Sequence, residues 1–325
     1  MGDAMSLRAT KQWVERHAWV RFLGSVLLLA SVVVFVPRRH LLAGLQSIRL
    51  PILAAAFPLY LLLHAGGALK WHIVVNRSGA GMTGLRSLQC YFFGLFGNLF
   101  LPSVAGGDAV MVALALRKAE KRAGIVVGSF VNRAVDVAAM LMLVLGAAAL
   151  LPGVLNAGNR RIFIAVLAAV GVGIALFAAA AGALRPAWFP GRLNRLLAEH
   201  QSALELLRRP RLILTPLALS LAIQFGLLAL TYWIAAASGL HLSLAAWVFA
   251  WQLAKLAALL PVAVAGIGPR ELALSALLAP FGAPASRTVA IVLAWDALMV
   301  SGSLVGGVVW KALGWALDPP ASGRK

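Results

Sequence analysis

Long apolar runs decide what this chain can become. Residues 18–36, 50–69, 123–150, 162–184, 212–237 and 288–312 are each close to or longer than a membrane crossing, which takes about 20 helical residues for a core about 30 Å thick. Backbone groups in lipid must be bonded within the spanning element, so such runs read as helices. Of the 325 residues 62% are apolar and only 12% charged, against about half and a quarter in soluble domains. An all-α polytopic membrane protein is expected, with one transmembrane domain over residues 1–325. The N-terminal "SLRATKQWVERHAWVR" and "FLGSVLLLASVVVFV" resemble a secretory signal. "VPRRH" follows with no small-residue cleavage site, so this is read as a retained first span. "MGDAMS" fits the myristoylation pattern at Gly2, a weak match in a chain already anchored by many spans. Cys90 is the sole cysteine; it excludes an intramolecular disulfide and reads as a buried, inert thiol.

The formal charge of +19 comes from 29 Lys and Arg against 10 Asp and Glu. Its distribution argues against nucleic acid as a partner. The cations sit between apolar runs: in the N-terminal arm, in 70–86, in "RKAEKR" (117–122) and in 185–211, with Arg185, Arg192, Arg195, Arg208, Arg209 and Arg211. That is the positive-inside pattern, which also favours anionic lipid headgroups. Segment 191–209 has helical amphipathicity suited to the inner interface. Trp13, Trp19, Trp71, Trp188, Trp310 and Trp315 flank spans, where interfacial aromatics are expected.

Two runs are interrupted: "LFLPSVAGGDAVMVALALRKAEKR" (99–122) and "LLPVAVAGIGPRELALSALLAPFG" (259–282). If 87–103 were a complete span, the basic cluster 117–122 would fall outside. A re-entrant hairpin over 87–116 removes the conflict, because a limb of 12 residues reaches about 18 Å, roughly half a bilayer. The same reasoning gives a second hairpin over 244–282, entering from the other side, and leaves both termini cytoplasmic. Two halves, 18–150 and 162–312, each hold three spans and one hairpin, about eight embedded segments in all. An odd number of crossings inverts the second half relative to the first. Pro102, Gly106, Gly107, Pro261, Gly266 and Gly268 mark the expected breaks. Inverted halves with broken helices are a transporter pattern; an ordinary kinked helix pair is the plainer alternative.

Four of the ten acids, Asp108, Asp136, Glu271 and Asp296, fall in the hairpins or the spans after them, with Arg133, Lys255 and Arg270. Such charges cost at least about 2.5–3.5 kcal/mol in a bilayer, so they face the bundle interior, pair, and carry function. Arg133 and Asp136 share a helical face and suit an ion pair. The plainer reading of that pair, and of Arg270 with Glu271, is simple neutralisation. Aligning "SFVNRAVDV" with "IVLAWDALMV" instead sets Arg133 opposite Asp296, where the two would gate the halves.

"NLFLPSVAGGDAV", starting at Asn98, then "GSFVNRAVDV" and "LPVAVAGIGPRE" resemble the signature segments of the lysylphosphatidylglycerol synthase transmembrane-region, or flippase-like, family. The resemblance covers roughly 20–312. It implies a polytopic protein of the bacterial inner membrane related to the lipid-flipping half of aminoacyl-phosphatidylglycerol synthases. Three positions depart from the pattern: Met111 where an Arg commonly follows Gly-Gly-Asp, Asn132 where an Asp often precedes Arg133, and Asp296 where the second half often has Arg. They bear on the substrate more than the fold. The residues after Lys311 are too few for the soluble aminoacyl-transfer domain.

His17, His40, His64, His72, His200 and His241 lack metal-ligand spacing, and His64 reads as a packed or hydrogen-bonded residue. "GIGPRE" lacks the strand–turn–helix context of a nucleotide loop. No cofactor, metal or catalytic set is expected. Three functions stay open: a transporter moving an amphipathic, anionic or glycosylated lipid between leaflets; a membrane-embedded enzyme using Asp108 and Glu271 on a lipid-linked substrate; and a non-transporting partner of a lipid-synthesis complex. Expected partners are membrane lipids with anionic headgroups, and a second copy of the chain or a lipid-synthesis enzyme.

Overall fold

The computed structural model describes residues 50–99, 104–155, 157–183, 210–257 and 269–317. Among these residues the chain is helical, with no strand. The helices are α1 (Leu50–Arg77), α2 (Gly84–Gly97), α3 (Val104–Ala115), α4 (Arg122–Leu150), α5 (Ala157–Ala183), α6 (Pro210–Ala237), α7 (Leu244–Ala257), α8 (Pro269–Leu278) and α9 (Ala285–Leu317). Four stretches are long and apolar enough to cross a membrane: α1, α4, α9 and Ile213–Ala237 within α6. Leu62, Ile164, Leu214, Leu304 and Val308 point outward, each more than half exposed. In an integral membrane protein such side chains meet lipid at no cost, whereas water would penalise them. The expected first span 18–36, the amphipathic segment 191–209 and Trp13, Trp19 and Trp188 lie outside the described residues.

The order long, short, short, long occurs twice, in α1–α4 and α6–α9. From α1 to α2 and from α6 to α7 the boundaries differ by 160 positions throughout. The turns between them match bond for bond. The N–H of Ser78, Gly79 and Ala80 donate to Val74, Asn76 and Val75, and those of Ser238, Gly239 and Leu240 to Ile234, Ala236 and Ala235. Gly79 (φ 86°) and Gly239 (φ 77°) occupy the left-handed position that ends each long helix, where a Cβ would be strained. Thr83 and Ser243 then accept from the N–H of Arg86 and Ala246, capping α2 and α7.

The two short helices of each group fold side by side. Around the first pair, the Lys121 N–H donates to the Ala80 carbonyl at 3.4 Å. Around the second, Arg287 donates to the Gly239 carbonyl at 2.9 Å. Each pair therefore begins and ends at one face of the bundle. The faces differ because α1 and α6 are antiparallel: Leu63 lies against Gly226, Gly66 against Ile223 and Lys70 against Ser220. Each group also packs on the other's last helix, α2 on α9 and α7 on α4. A Cβ at Gly306 of α9 would lie 2.8 Å from the Phe92 carbonyl of α2, so glycine is what permits that close approach.

The main core joins Trp247, Phe249, Leu253 and Leu256 of α7 to Met140 and Val144 of α4 and Tyr60 of α1. A smaller core near the first turn holds Trp71, Val75, Cys90 and Met111, and Cys90 is buried as expected. Trp71 is no interfacial anchor: it is fully buried and its indole N–H donates to Ser129 at 3.0 Å. The helix reaches Arg77 rather than ending at residue 69, which draws Trp71 inside.

Candidate functional site

The first break falls slightly before the expected glycines. Gly106 and Gly107 lie in the first turn of α3, and neither has positive φ. Gly107 serves close approach instead: a Cβ there would sit 2.6 Å from the Gly94 carbonyl and collide with the Asn98 amide. Asn98 ends α2, its N–H donating to the Gly94 and Leu95 carbonyls, so the limbs of the first hairpin meet through glycine and one amide. Pro102, Pro261, Gly266, Gly268 and the side chain of Glu271 lie outside the described residues.

The remaining charges gather between the hairpins and the long helices, in pairs the sequence did not indicate. Asp108 of α3 faces Arg133 of α4 at 3.5 Å. Arg270 of α8 donates to Asp296 of α9 at 2.5 Å. Arg133 and Asp296 therefore form no gate with each other. Each is held by the returning limb of its own hairpin, which lies alongside the next long helix. Arg133 and Asp136 are not partners either, because Asp136 takes Lys70 of α1 and the Ser220 hydroxyl of α6. The Asn132 amide is a further donor to Asp136 at 3.5 Å. Arg270 finds Asp296; the side chain of Glu271, its expected partner, lies outside the described residues.

Lys70 is the residue sequence reasoning misplaced. Counted with the solvated cations of 70–86, it is 4% exposed and ion-paired. Its signal was available, since "ALKWHIVV" continues the apolar run on both sides of the lysine. Gln224 was also missed; its side-chain oxygen accepts from Lys255 at 2.8 Å. Beside these groups runs a line of rings: Trp247 to Trp251 (5.4 Å), Trp251 to Trp295 (5.9 Å), Trp295 to Tyr60 (5.5 Å) and Tyr60 to His64 (4.4 Å). His64 lies 3.3 Å from the Tyr91 hydroxyl, a hydrogen-bonded core residue as expected.

The pairs differ in access. Side-chain exposure is 5% and 18% for Lys70 and Asp136, 15% and 24% for Arg270 and Asp296, and 32% and 48% for Arg133 and Asp108. The first hairpin's pair is therefore the most accessible of the three. The helix ends are polarised too. Among the described side chains Arg77, Arg86, Arg117, Lys118, Lys121, Arg122 and Lys311 lie at the face where the first hairpin begins, against Arg160, Arg161 and Arg287 at the other. Among the described residues no group of His, Cys, Asp and Glu has the geometry to hold a metal ion. No curated protein and no solved structure matches the chain. The family model described as "Lysylphosphatidylglycerol synthase TM region" matches residues 18–307, and this integral membrane protein belongs to that family.

Proposed function

We propose that this protein moves an amphipathic lipid, anionic or glycosylated at its headgroup, between the leaflets of a bacterial inner membrane. The observation that carries the reading is the pair of helical hairpins that begin at opposite faces and surround one set of paired charges. Halves of inverted orientation with broken helices at their junction are suited to alternating access. The antiparallel α1 and α6, the matched turns and the reciprocal packing of α2 on α9 and α7 on α4 support an inverted repeat. The basic face is assigned to the cytoplasm by the positive-inside rule. The protein transports rather than converts its lipid, alone or beside an enzyme of lipid synthesis.

The test is leaflet exchange of tail-labelled phospholipids and glycolipids in proteoliposomes, read by quenching of the outer leaflet. Exchange dependent on the protein, with the lipid recovered unchanged, is expected. A chemically altered lipid would shift the reading to a membrane enzyme, and no exchange with any lipid would refute transport. In a Cys90-free background, cysteines at Ala119 and His241 should label from opposite sides of the membrane, Ala119 from the cytoplasm.

A further inference from the structure

Lys255 stands apart from the other central charges. Four cations, Lys70, Arg133, Lys255 and Arg270, face three carboxylates, Asp108, Asp136 and Asp296. Each carboxylate is taken by one of the other cations, and among the described residues none lies within ion-pair distance of Lys255. The ammonium is held by a neutral group, the Gln224 amide, while Asp136, Arg133, Arg270 and Lys70 lie within electrostatic range. A partly buried cation in an apolar bundle without a counter-ion is costly.

Gln252 lies one turn earlier on α7, at the i, i+3 spacing that puts two side chains on one face. It is 1% exposed, and neither its amide oxygen nor its nitrogen has a partner. An unmade bond in such a place costs about 1–3 kcal/mol. Packing alone does not ask for these polar groups. At the matching positions of the first half, 160 residues earlier, Lys255 corresponds to Leu95 and Gln252 to Phe92.

We propose that Lys255, oriented by Gln224 and assisted by the Gln252 amide, is a subsite for the phosphodiester of a phospholipid headgroup. A monoanion would give the Lys255 ammonium a counter-charge, and the Gln252 N–H₂ supplies a second donor to its oxygens. This rests on the transport reading for its setting and narrows that reading to phosphate-bearing lipids. A free phosphate ion offers the same chemistry; the apolar helix faces around the bundle favour the lipid.

The experiment titrates tail-labelled phosphatidylglycerol and tail-labelled glucosyl-diacylglycerol onto the purified full chain in micelles, following energy transfer from tryptophan. The phospholipid should bind about tenfold or more tightly, as expected for a charge-assisted hydrogen bond. Lys255→Arg should keep that preference and Lys255→Gln should abolish it. Inorganic phosphate at millimolar concentration should not displace the lipid; displacement would make free phosphate the ligand and overturn the lipid assignment. Equal affinities in the unaltered protein would overturn the subsite whether or not the variants fold, and leave transport standing. A retained preference in a protein that exchanges no lipid would do the reverse.

Discussion

The ion pairs Asp108–Arg133 and Arg270–Asp296 each join the second short helix of a long–short–short–long group to the long helix that follows it, with the charges exchanged. In the first the acid is on the returning limb and the arginine on the long helix; in the second the order is reversed. The architecture thus fixes where a pair sits and leaves its polarity free. Exposure separates them as well, with the second pair more enclosed. Solvent therefore reaches the first hairpin's pair more freely than the second's, an asymmetry that the proposed alternating access would require. A third pair, Lys70–Asp136, has no counterpart among the described residues: Leu230 lies 160 positions after Lys70, and Met299 lies 163 after Asp136, the spacing between the starts of α4 and α9.

That missing counterpart makes the sharpest way to break the comparison. Lys70→Leu strands Asp136 in a buried site and should destabilise the protein by about 3–5 kcal/mol. Lys70→Leu with Asp136→Met imports the apolar solution of the other half and should recover most of that loss. Thermal unfolding in detergent measures both; a double variant no more stable than the single would show that the halves are not interchangeable here.

Next in size is the enclosed pair. Arg270→Ala should cost about 2–4 kcal/mol, a little less than for a fully buried pair because some solvent reaches Asp296. Exchanging the charges, Arg270→Asp with Asp296→Arg, gives the second half the polarity of the first and should restore folding. The exchange of Arg133 with Asp296 should restore nothing, because each would then face a like charge on its own limb.

The sequence disclosed distances along the chain and concealed contacts across it. Spans 123–150 and 212–237 and the short limbs were readable because apolar length and bilayer thickness are one-dimensional quantities. The expected turning back of the first limb, argued from the charges at 117–122, agrees with Lys121 lying beside Ala80; which side of the membrane it faces is part of the proposal. The pairs were not readable. Arg133 and Asp136 share a face, but lateral packing brings Lys70, 66 residues away, to Asp136, and α3 brings Asp108 to Arg133. The run "ALKWHIVV" should have raised suspicion, because a lysine amid apolar residues on a continuing helix has no solvated side to occupy. Gln224 gave no comparable sign, since a lone amide in a span has many ways to be satisfied.

The smallest stability effect is expected at the open pair, and there stability and function should part. Arg133 and Asp108 are 32% and 48% exposed across 3.5 Å, a geometry in which solvent screens the attraction and the pair is worth about 0–1 kcal/mol. Arg133→Ala should therefore unfold within about 1 kcal/mol of the unaltered protein. If the pair merely neutralises the first half, leaflet exchange should survive at a near-normal rate. If instead the open pair must close as the enclosed pair opens, exchange should fall severely at normal membrane abundance, and Asp108→Arg with Arg133→Asp should recover part of it. Loss of exchange in that reversed pair, with unfolding unchanged, would show that polarity at the first hairpin is not free, and would end the equivalence of the two pairs.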